Sequence, residues 1–376
     1  MNVIKGLCLK GVVPTKTAAM YYKTEPFFMN IENYRHTNNW EILKAVEILC
    51  EMGYSVDVID RGCKDWSPDR EYDLFIGLGV GNSGDQFVKY SKSSKAKKRV
   101  LLAQGPQPDT SNEKVLYRYK TFENRTGQYA PPMRTVEKVC GESFEEIIKN
   151  TDFIMCIGEK NTESHNSFLK YKKPVLSYYP AISNRVQFKK KWNQSRNRNE
   201  FLCFAGNGLI CKGVDVVVEA FLKNSDKKLH ICGPPEQSFM EQYEDKIKRS
   251  SNITYHGFIE PGGALFNNLA SRCSYVVFHS AAEGCCTSVA TAMKAGLVPV
   301  VNPWTGIVVK DMHDGLSMSD EKDLVSEIEE KIKIASKIND EDYKLLVKNS
   351  LEHAKPFSQQ GYLKSYRSCI EEIEKQ

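Results

Sequence analysis

The chain reads as an α/β protein of two doubly wound, Rossmann-like domains facing a cleft. Three observations predict this. Apolar, β-branched runs alternate with helix-period segments in both halves of the sequence. A polar, aperiodic stretch, Gln187–Glu200, separates the halves. Tyr275–Val301 then reads as strand, Glu-Gly turn, helix and strand, the repeating unit of an open parallel sheet. A length of 376 residues accommodates about two or three domains.

Element by element, Thr17–Tyr22 is the first expected strand. Trp40–Met52 carries Trp40, Leu43, Val46, Leu49 and Met52 at helical spacing, with Thr37 or Asn38 as cap and Gly53 as stop. Strands follow at Tyr54–Ile59, Asp73–Leu78, Val100–Ala103, Asp152–Ile157 and Val175–Tyr178, with a short helix at Phe144–Lys149. After Gln187–Glu200 the alternation restarts. Strands are expected at Phe201–Ala205, Leu229–Cys232 and Ile253–Tyr255, and helices at Val214–Lys223, Phe239–Ser250 and Gly263–Ser271. Tyr275–Phe278 is aromatic and β-branched, Cys285–Ala295 forms a helix, Gly296 ends it, and Leu297–Val301 resumes the sheet. The remainder from Asp320 is helical, broken at Pro356. The expected organisation is an N-terminal domain over 1–186, a linker over 187–200, a C-terminal domain over 201–355, and a final helix over 356–376 that returns to the N-terminal domain.

Composition narrows the class. The hydrophobic fraction of 41% is that of a globular protein, and no run of about 18 apolar residues reads as a membrane span. The first residues lack the apolar core of a secretory signal. Twelve cysteines are scattered, several inside strand-like runs (Cys156, Cys203, Cys232), without Cys-x-x-Cys pairs or zinc spacing. Buried free thiols suit a reducing cytoplasm. The net charge of +5 is concentrated at Lys89–Arg99 and Lys189–Trp192. These runs are solvated surface, or contacts for an anionic acceptor or the inner face of a membrane. No aromatic-basic motif accompanies them, which argues against nucleic acid.

The chemistry-bearing residues fall at strand ends. Ala281-Ala282-Glu283-Gly284 puts a carboxylate at the carboxyl end of a parallel strand, where ligands of such sheets bind. The helix that follows, with Cys285, Cys286, Thr287 and Ser288 at its start, offers free N–H groups and a positive dipole end to phosphate. Hydroxyl recognition beside phosphate recognition fits a sugar phosphate or sugar nucleotide. Such turns also occur in many unrelated α/β proteins, and Thr287 and Ser288 equally suit simple capping. Gly206-Asn207-Gly208 follows the strand FLCFA, and Lys212-Gly213 opens the next helix, bringing backbone and a cation close to a ligand. Gly79–Gly84 matches Gly-x-Gly-x-x-Gly, but about 20 residues on, where a ribose-binding acid belongs, stands Gln104. His36 is either a capping-loop histidine or a catalytic group on the ligand edge of the N-terminal sheet. Asp109, Asn112 and Arg118 read as a polar loop after VLLAQG.

The combination resembles the GT-B fold glycosyltransferases, specifically the retaining family 4 group. FAGNGLICKGVDVVVEAF resembles that family's first donor-domain strand, phosphate loop and helix. LHICGPP, ITYHGFIEPGGALFNNLASRCSYVVFHSAAEG and TAMKAGLVPVVNPWTG follow its order, and HTNNWEILKAVEILCEMGYSVDVID resembles a subgroup among bacterial surface-polysaccharide enzymes. The resemblance implies that Glu283 holds donor-sugar hydroxyls and Lys212 neutralises the diphosphate. It also implies that Gly206, Gly208, Gly284 and the amides near Cys285–Thr287 cradle the diphosphate, and that the loop with Gly257 and Phe258 holds the base. Two positions depart from the family pattern. Thr291 stands where a ribose-binding glutamate is usual, and Asn207 where an arginine is usual; Asn lacks the bidentate, permanent charge of a guanidinium.

The expected function is therefore transfer, with retention, of a sugar from a nucleotide-sugar donor to a glycan or lipid-linked acceptor in polysaccharide or glycoconjugate biosynthesis. Glu283, Lys212 and His36 are the catalytic candidates. No cofactor and no metal is expected, since Lys212 and the helix amides meet the phosphate charge and no Asp-x-Asp motif sits at the donor site. Thr291 and Asn207 keep open a non-catalytic sugar-nucleotide or glycan-binding component. A sugar-nucleotide epimerase on the same fold would need cleft acids and bases that the sequence does not display.

Overall fold

The computed structural model describes residues 2–30, 36–79, 84–135, 142–190, 192, 196–320 and 323–376. Residues 80–83 of the Gly79–Gly84 loop, Lys191 of the basic run and 193–195 of the expected linker lie outside the described residues. The chain forms two compact units. The first comprises Met1–Thr110, Val136–Ala181 and Gln359–Gln376, and the second Ser111–Thr135 and Ile182–Ser358.

The first unit contains β1 (Val3–Leu7), β2 (Lys16–Tyr22), α1 (Thr37–Glu51), β3 (Tyr54–Asp60), β4 (Leu74–Leu78), α2 (Gly84–Ser93) and β5 (Lys98–Ala103). After the start of α3 (Pro108–Thr126) it continues with α4 (Glu142–Lys149), β6 (Phe153–Ile157), α5 (Glu163–Asn166) and β7 (Val175–Tyr178). Its sheet order is β1-β3-β2-β4-β5-β6-β7 among the described residues. All neighbours pair parallel except β1, which lies antiparallel to β3. The continuous apolar runs of β4, β5 and β6 are those of strands covered on both faces. The order steps outward from β2 in both directions, so the switch point lies between β2 and β4.

The second unit contains most of α3, then β8 (Asn197–Phe204), α6 (Val214–Leu222), β9 (Lys228–Cys232), α7 (Gln237–Arg249), β10 (Ile253–Tyr255) and α8 (Ala264–Arg272). It continues with β11 (Cys273–Phe278), α9 (Thr287–Lys294), β12 (Val298–Val301), β13 (Leu316–Ser317), α10 (Leu324–Lys337) and α11 (Asp340–Ala354). Its described strands run β10-β9-β8-β11-β12-β13, all parallel. The switch point is the β8/β11 pair, which the Gly206 loop and the Glu283 turn follow.

Several expectations are corrected. The first strand is β1, short and half-buried, and an unexpected helix, α2, carries the first part of the charged run Lys89–Arg99, whose Lys92, Lys95 and Lys97 are exposed. The expected polar loop at Asp109–Arg118 is helix α3. Its Val115, Tyr119 and Phe122 recur at helical spacing and are buried. The expected boundary at 186 falls after Ala181, and Ser111–Thr135 groups with the second unit rather than the first. The expected linker is partly structure: β8 begins at Asn197, and Arg196 is buried. Its guanidinium donates to the Ala270, Ala295 and Gly296 carbonyls at the ends of α8 and α9, groups a helix cannot satisfy itself. The helix after Glu283 starts at Thr287 rather than Cys285. The final helix, α12 (Gln359–Lys375), starts after 356 and contributes Tyr362, Tyr366, Cys369, Ile370 and Ile373 to the first unit's core.

Candidate functional site

The second unit's switch point assembles a charged site from two strand ends. After β8 the chain passes Gly206–Gly208 and folds back, with Lys212 N–H donating to the Gly208 carbonyl at 3.0 Å and Gly213 N–H to Ile210 at 2.9 Å. Gly213 has φ +72, and a Cβ there would lie 2.1 Å from the His279 carbonyl oxygen. Only glycine allows this loop to pack so closely on the end of β11. A bond from Ala281 N–H to the Cys211 carbonyl, 2.9 Å, ties the two loops together.

The Glu283 turn is fixed from its other side. Glu283 N–H donates to Trp304 and Cys286 N–H to Thr305, each at 2.9 Å. Gly306 (φ +72) closes this brace, and a Cβ on it would lie 2.4 Å from the Gly284 carbonyl oxygen. α9 then starts at Thr287, and its N-cap residue, Cys286, makes no side-chain capping hydrogen bond.

Held this way, the Lys212 ammonium meets the Glu283 carboxylate directly, both side chains about one-tenth exposed or less. Lys212 Nζ also sits 5.7 Å from the centroid of the Phe278 ring. A second cation, Arg134, donates through Nη1 to the same oxygen, Glu283 Oε1, at 2.6 Å. Burial pushes the Glu283 carboxyl up, but Arg134 and Lys212 overrule it and hold it down at about 2. The carboxylate is thus ionised at any working pH, able to accept hydroxyl protons while fixing two cations.

Supporting residues surround this cluster. Glu236 accepts from Ile210 N–H and from Tyr119 hydroxyl, both at 2.9 Å, which braces the loop before Lys212. Arg118, fully buried on α3, donates to the His279 carbonyl at 2.9 Å and reaches its Nδ1 at 2.7 Å. Burial, then the Arg118 charge, push the His279 imidazole down to about 3, so it is neutral.

The structure brings Glu283, Lys212, Gly206, Gly208, Gly284, Cys285 and Cys286 into one pair of loops, with Thr287, Ser288 and Thr291 on α9. A Cβ placed on Gly206 would lie 3.9 Å from Lys212 Cε. Asn207 is exposed. Cys286 is buried, and burial raises its thiol to about 11, which removes it as a nucleophile. Thr291 donates its hydroxyl to the Thr287 carbonyl at 2.6 Å. Gly257 and the 64% exposed Phe258 follow β10, with β9 between that strand and β8. His36 belongs to the first unit, where its side chain caps α1 by accepting the Asn38 N–H at 3.2 Å. The sequence reading missed Arg134, Glu236 and the role of Arg118. The Arg134 contact spans 149 positions and follows a Pro-Pro pair, so no local pattern marks it.

Within the first unit, the carboxyl ends of β2 and β7 face a small cavity lined by Tyr22, Glu41, Gln104, Tyr178, Tyr362 and Tyr366. Glu41 accepts the Ala181 N–H at 2.9 Å, and burial lifts its carboxyl to about 7. Among the described residues no group of three or more His, Cys, Asp or Glu side chains is arranged to hold a metal ion, and no helix is long and apolar enough to cross a membrane.

Known proteins place this architecture in a class. Residues 186–353 match the family model for glycosyl transferases group 1. No curated protein matches the chain in sequence. Among solved structures, HepE from Anabaena in complex with UDP-glucose superposes with a TM-score of 0.62 at 12% identity, covering 95% of this chain and 100% of that one. WaaG, a glycosyltransferase involved in lipopolysaccharide biosynthesis, gives 0.55 at 13% identity over 95% and 99%. The pneumococcal O-GlcNAc transferase GtfA, in complex with UDP and GlcNAc, gives 0.53 at 14% identity over 80% of this chain; the chain spans 57% of its length. At these identities the likeness is one of fold, and that fold is GT-B. The match of residues 186–353 to the group 1 model, together with the GT-B fold, supports a glycosyltransferase.

Proposed function

We propose that the chain is a retaining glycosyltransferase of the family 4 type. It would move a sugar from a nucleotide-sugar donor to a glycan or lipid-linked acceptor in surface-polysaccharide or glycoconjugate assembly. One observation carries the reading: Lys212 and Glu283, from loops 71 positions apart, converge at the β8/β11 switch point beside the start of α9. The group 1 family match and the UDP and UDP-sugar complexes of GtfA and HepE support it.

The hard step is departure of the diphosphate. Lys212 and the first amides of α9 stabilise its growing charge, an effect strongest in a site where water is scarce. Glu283, ionised, accepts hydroxyl protons of the donor sugar and orients it. Gly206, Asn207 and Gly208 let the backbone approach the phosphates, and Gly257-Phe258 contacts the base. The leaving diphosphate guides attack on the face it vacates, which gives retention without a protein nucleophile. The reading calls for no metal and no cofactor. The acceptor binds to the first unit, where His36 is a candidate contact, and the basic run Lys89–Arg99 of that unit suits an anionic or membrane-borne acceptor.

The test is transfer from UDP-, GDP- and ADP-sugars to glycan and lipid-linked acceptors, with the anomeric configuration of the product read by NMR. Glu283→Gln should lower transfer at least about 100-fold. Transfer at the wild-type rate, or an inverted product, contradicts the reading. The second reading is a sugar-nucleotide-binding component without turnover. Thr291, which spends its hydroxyl on α9, and uncharged Asn207 favour it. Tight donor binding with no turnover on any acceptor would select it.

A further inference from the structure

The Glu283 carboxylate holds two cations, and only one of them lies on the loop after β8. The other, Arg134, comes from the segment following α3, which packs in the same unit although it lies far earlier in the chain. Three details define its position. Its guanidinium bonds Glu283 Oε1, the oxygen that also receives the Lys212 ammonium. Its side chain crosses the glycine loop: a Cβ built on Gly208 would lie 3.5 Å from Arg134 Cδ. Its backbone has φ +68, a conformation costly for a residue with a side chain, and it keeps that conformation within the turn that carries the guanidinium to the loop.

The electrostatics are unequal. One carboxylate against an ammonium and a guanidinium leaves the cluster with one net positive charge beside backbone that approaches a ligand closely. Both contacts fall on a single carboxylate oxygen, and a carboxylate has about four acceptor positions. Glu283 therefore fixes the two cations and still has acceptor capacity for hydroxyl groups. The accessibilities differ as well. The Lys212 side chain is 8% exposed and the Arg134 side chain 42% exposed, so Arg134 is the more accessible of the two cations. A guanidinium so placed can take two phosphate oxygens at once, which an ammonium cannot.

We propose that Arg134 is a diphosphate-binding residue of the donor site, supplied by the segment after α3, and that Glu283 holds it in register with Lys212. This rests on the sugar-nucleotide reading of the site and adds to it a second cation and its source. The segment Ser111–Thr135 thereby becomes part of the donor-binding surface and not only a packing element.

The test is calorimetric titration of the full chain with UDP, GDP, ADP and, as a probe without a base, inorganic pyrophosphate. It uses wild type, Arg134→Gln, Arg134→Lys and Lys212→Ala, each checked for a native melting transition. The proposal expects Arg134→Gln to weaken the tightest nucleoside diphosphate and pyrophosphate at least about 10-fold, with Arg134→Lys between it and wild type. It also expects Arg134→Gln to flatten the dependence of affinity on salt, since one ionic contact is gone. If Lys212→Ala loses affinity while Arg134→Gln matches wild type in affinity and salt dependence, the role of Arg134 is refuted and the donor site stands. If wild type binds none of the four probes, the donor-site reading itself is overturned, and this proposal with it.

Discussion

Glu41 should make the first unit less stable as pH rises through neutrality, against the usual behaviour of carboxylates. It is buried on α1, receives the Ala181 N–H, and faces Tyr22, Tyr178, Tyr362 and Tyr366, with Lys23 the nearby cation. Burial lifts its carboxyl from an ordinary 4.5 to about 7, against the smaller pulls of the Ala181 N–H and Lys23. The folded state therefore keeps a proton that the unfolded chain releases above pH 4.5. The stability from this group is complete below that pH and is lost as pH rises toward about 7. Each pH unit of separation is worth about 1.4 kcal/mol, so the loss is about 3 kcal/mol across the window. Glu41→Gln keeps the acceptor for Ala181 and carries no titrating proton. Hydrogen exchange of α1 and α12 amides, corrected for intrinsic rates, should show opening that becomes easier from pH 5 to 8 in wild type and hardly changes in the variant. The same pH dependence in both proteins would refute the reasoning.

Other predictions follow from the same geometry. His279, pushed down to about 3, rejects a proton that the unfolded chain accepts below 6.5, so β11 and α6 should lose protection as pH falls from 6.5 toward 3, opposite in sign to the first unit; exchange in those peptides checks this. Gly306→Ala must move the Gly284 carbonyl by roughly 1 Å and keep a left-handed backbone, so transfer should fall about 100-fold with a lowered melting temperature, as read by kinetics and calorimetry. Arg196→Met strips the carbonyls of Ala270, Ala295 and Gly296 of their donor and should cost about 3 kcal/mol of second-unit stability in denaturant titration.

Much of the frame was legible because parallel strands buried on both faces write themselves as continuous apolar runs. Val100–Ala103, Phe201–Phe204 and Tyr275–Phe278 are of this kind. The Glu283–Lys212 meeting was legible for a topological reason. If each residue lies just past a strand end and the two strands are neighbours at the switch point, their loops share one crevice. β1 was not legible, since VIKGL is short, glycine-containing and on an antiparallel edge. α3 carried a signal, Val115, Tyr119 and Phe122, hidden in a polar composition because the same helix presents Arg118 and Arg125 inward to His279 and to Asp215 and Glu219. Arg196 was hidden likewise: a charged residue in an aperiodic run looks solvated until the carbonyls it serves are known. Arg134 could not be found locally, because its position is set by where a distant segment packs.

The central claim is that Lys212 grips the diphosphate while Glu283 grips the sugar of one activated donor. Its most direct test is a comparison of Kd for a sugar nucleotide with Kd for its free nucleoside diphosphate, using the tightest-binding base, in wild type, Lys212→Ala and Glu283→Gln. The account predicts that Lys212→Ala weakens both ligands alike, whereas Glu283→Gln, which also loosens the two cations that Glu283 positions, weakens the sugar nucleotide more than the nucleoside diphosphate and removes the extra affinity contributed by the sugar. Equal Kd values for wild type and both variants, or a sugar increment untouched by Glu283→Gln, would contradict it.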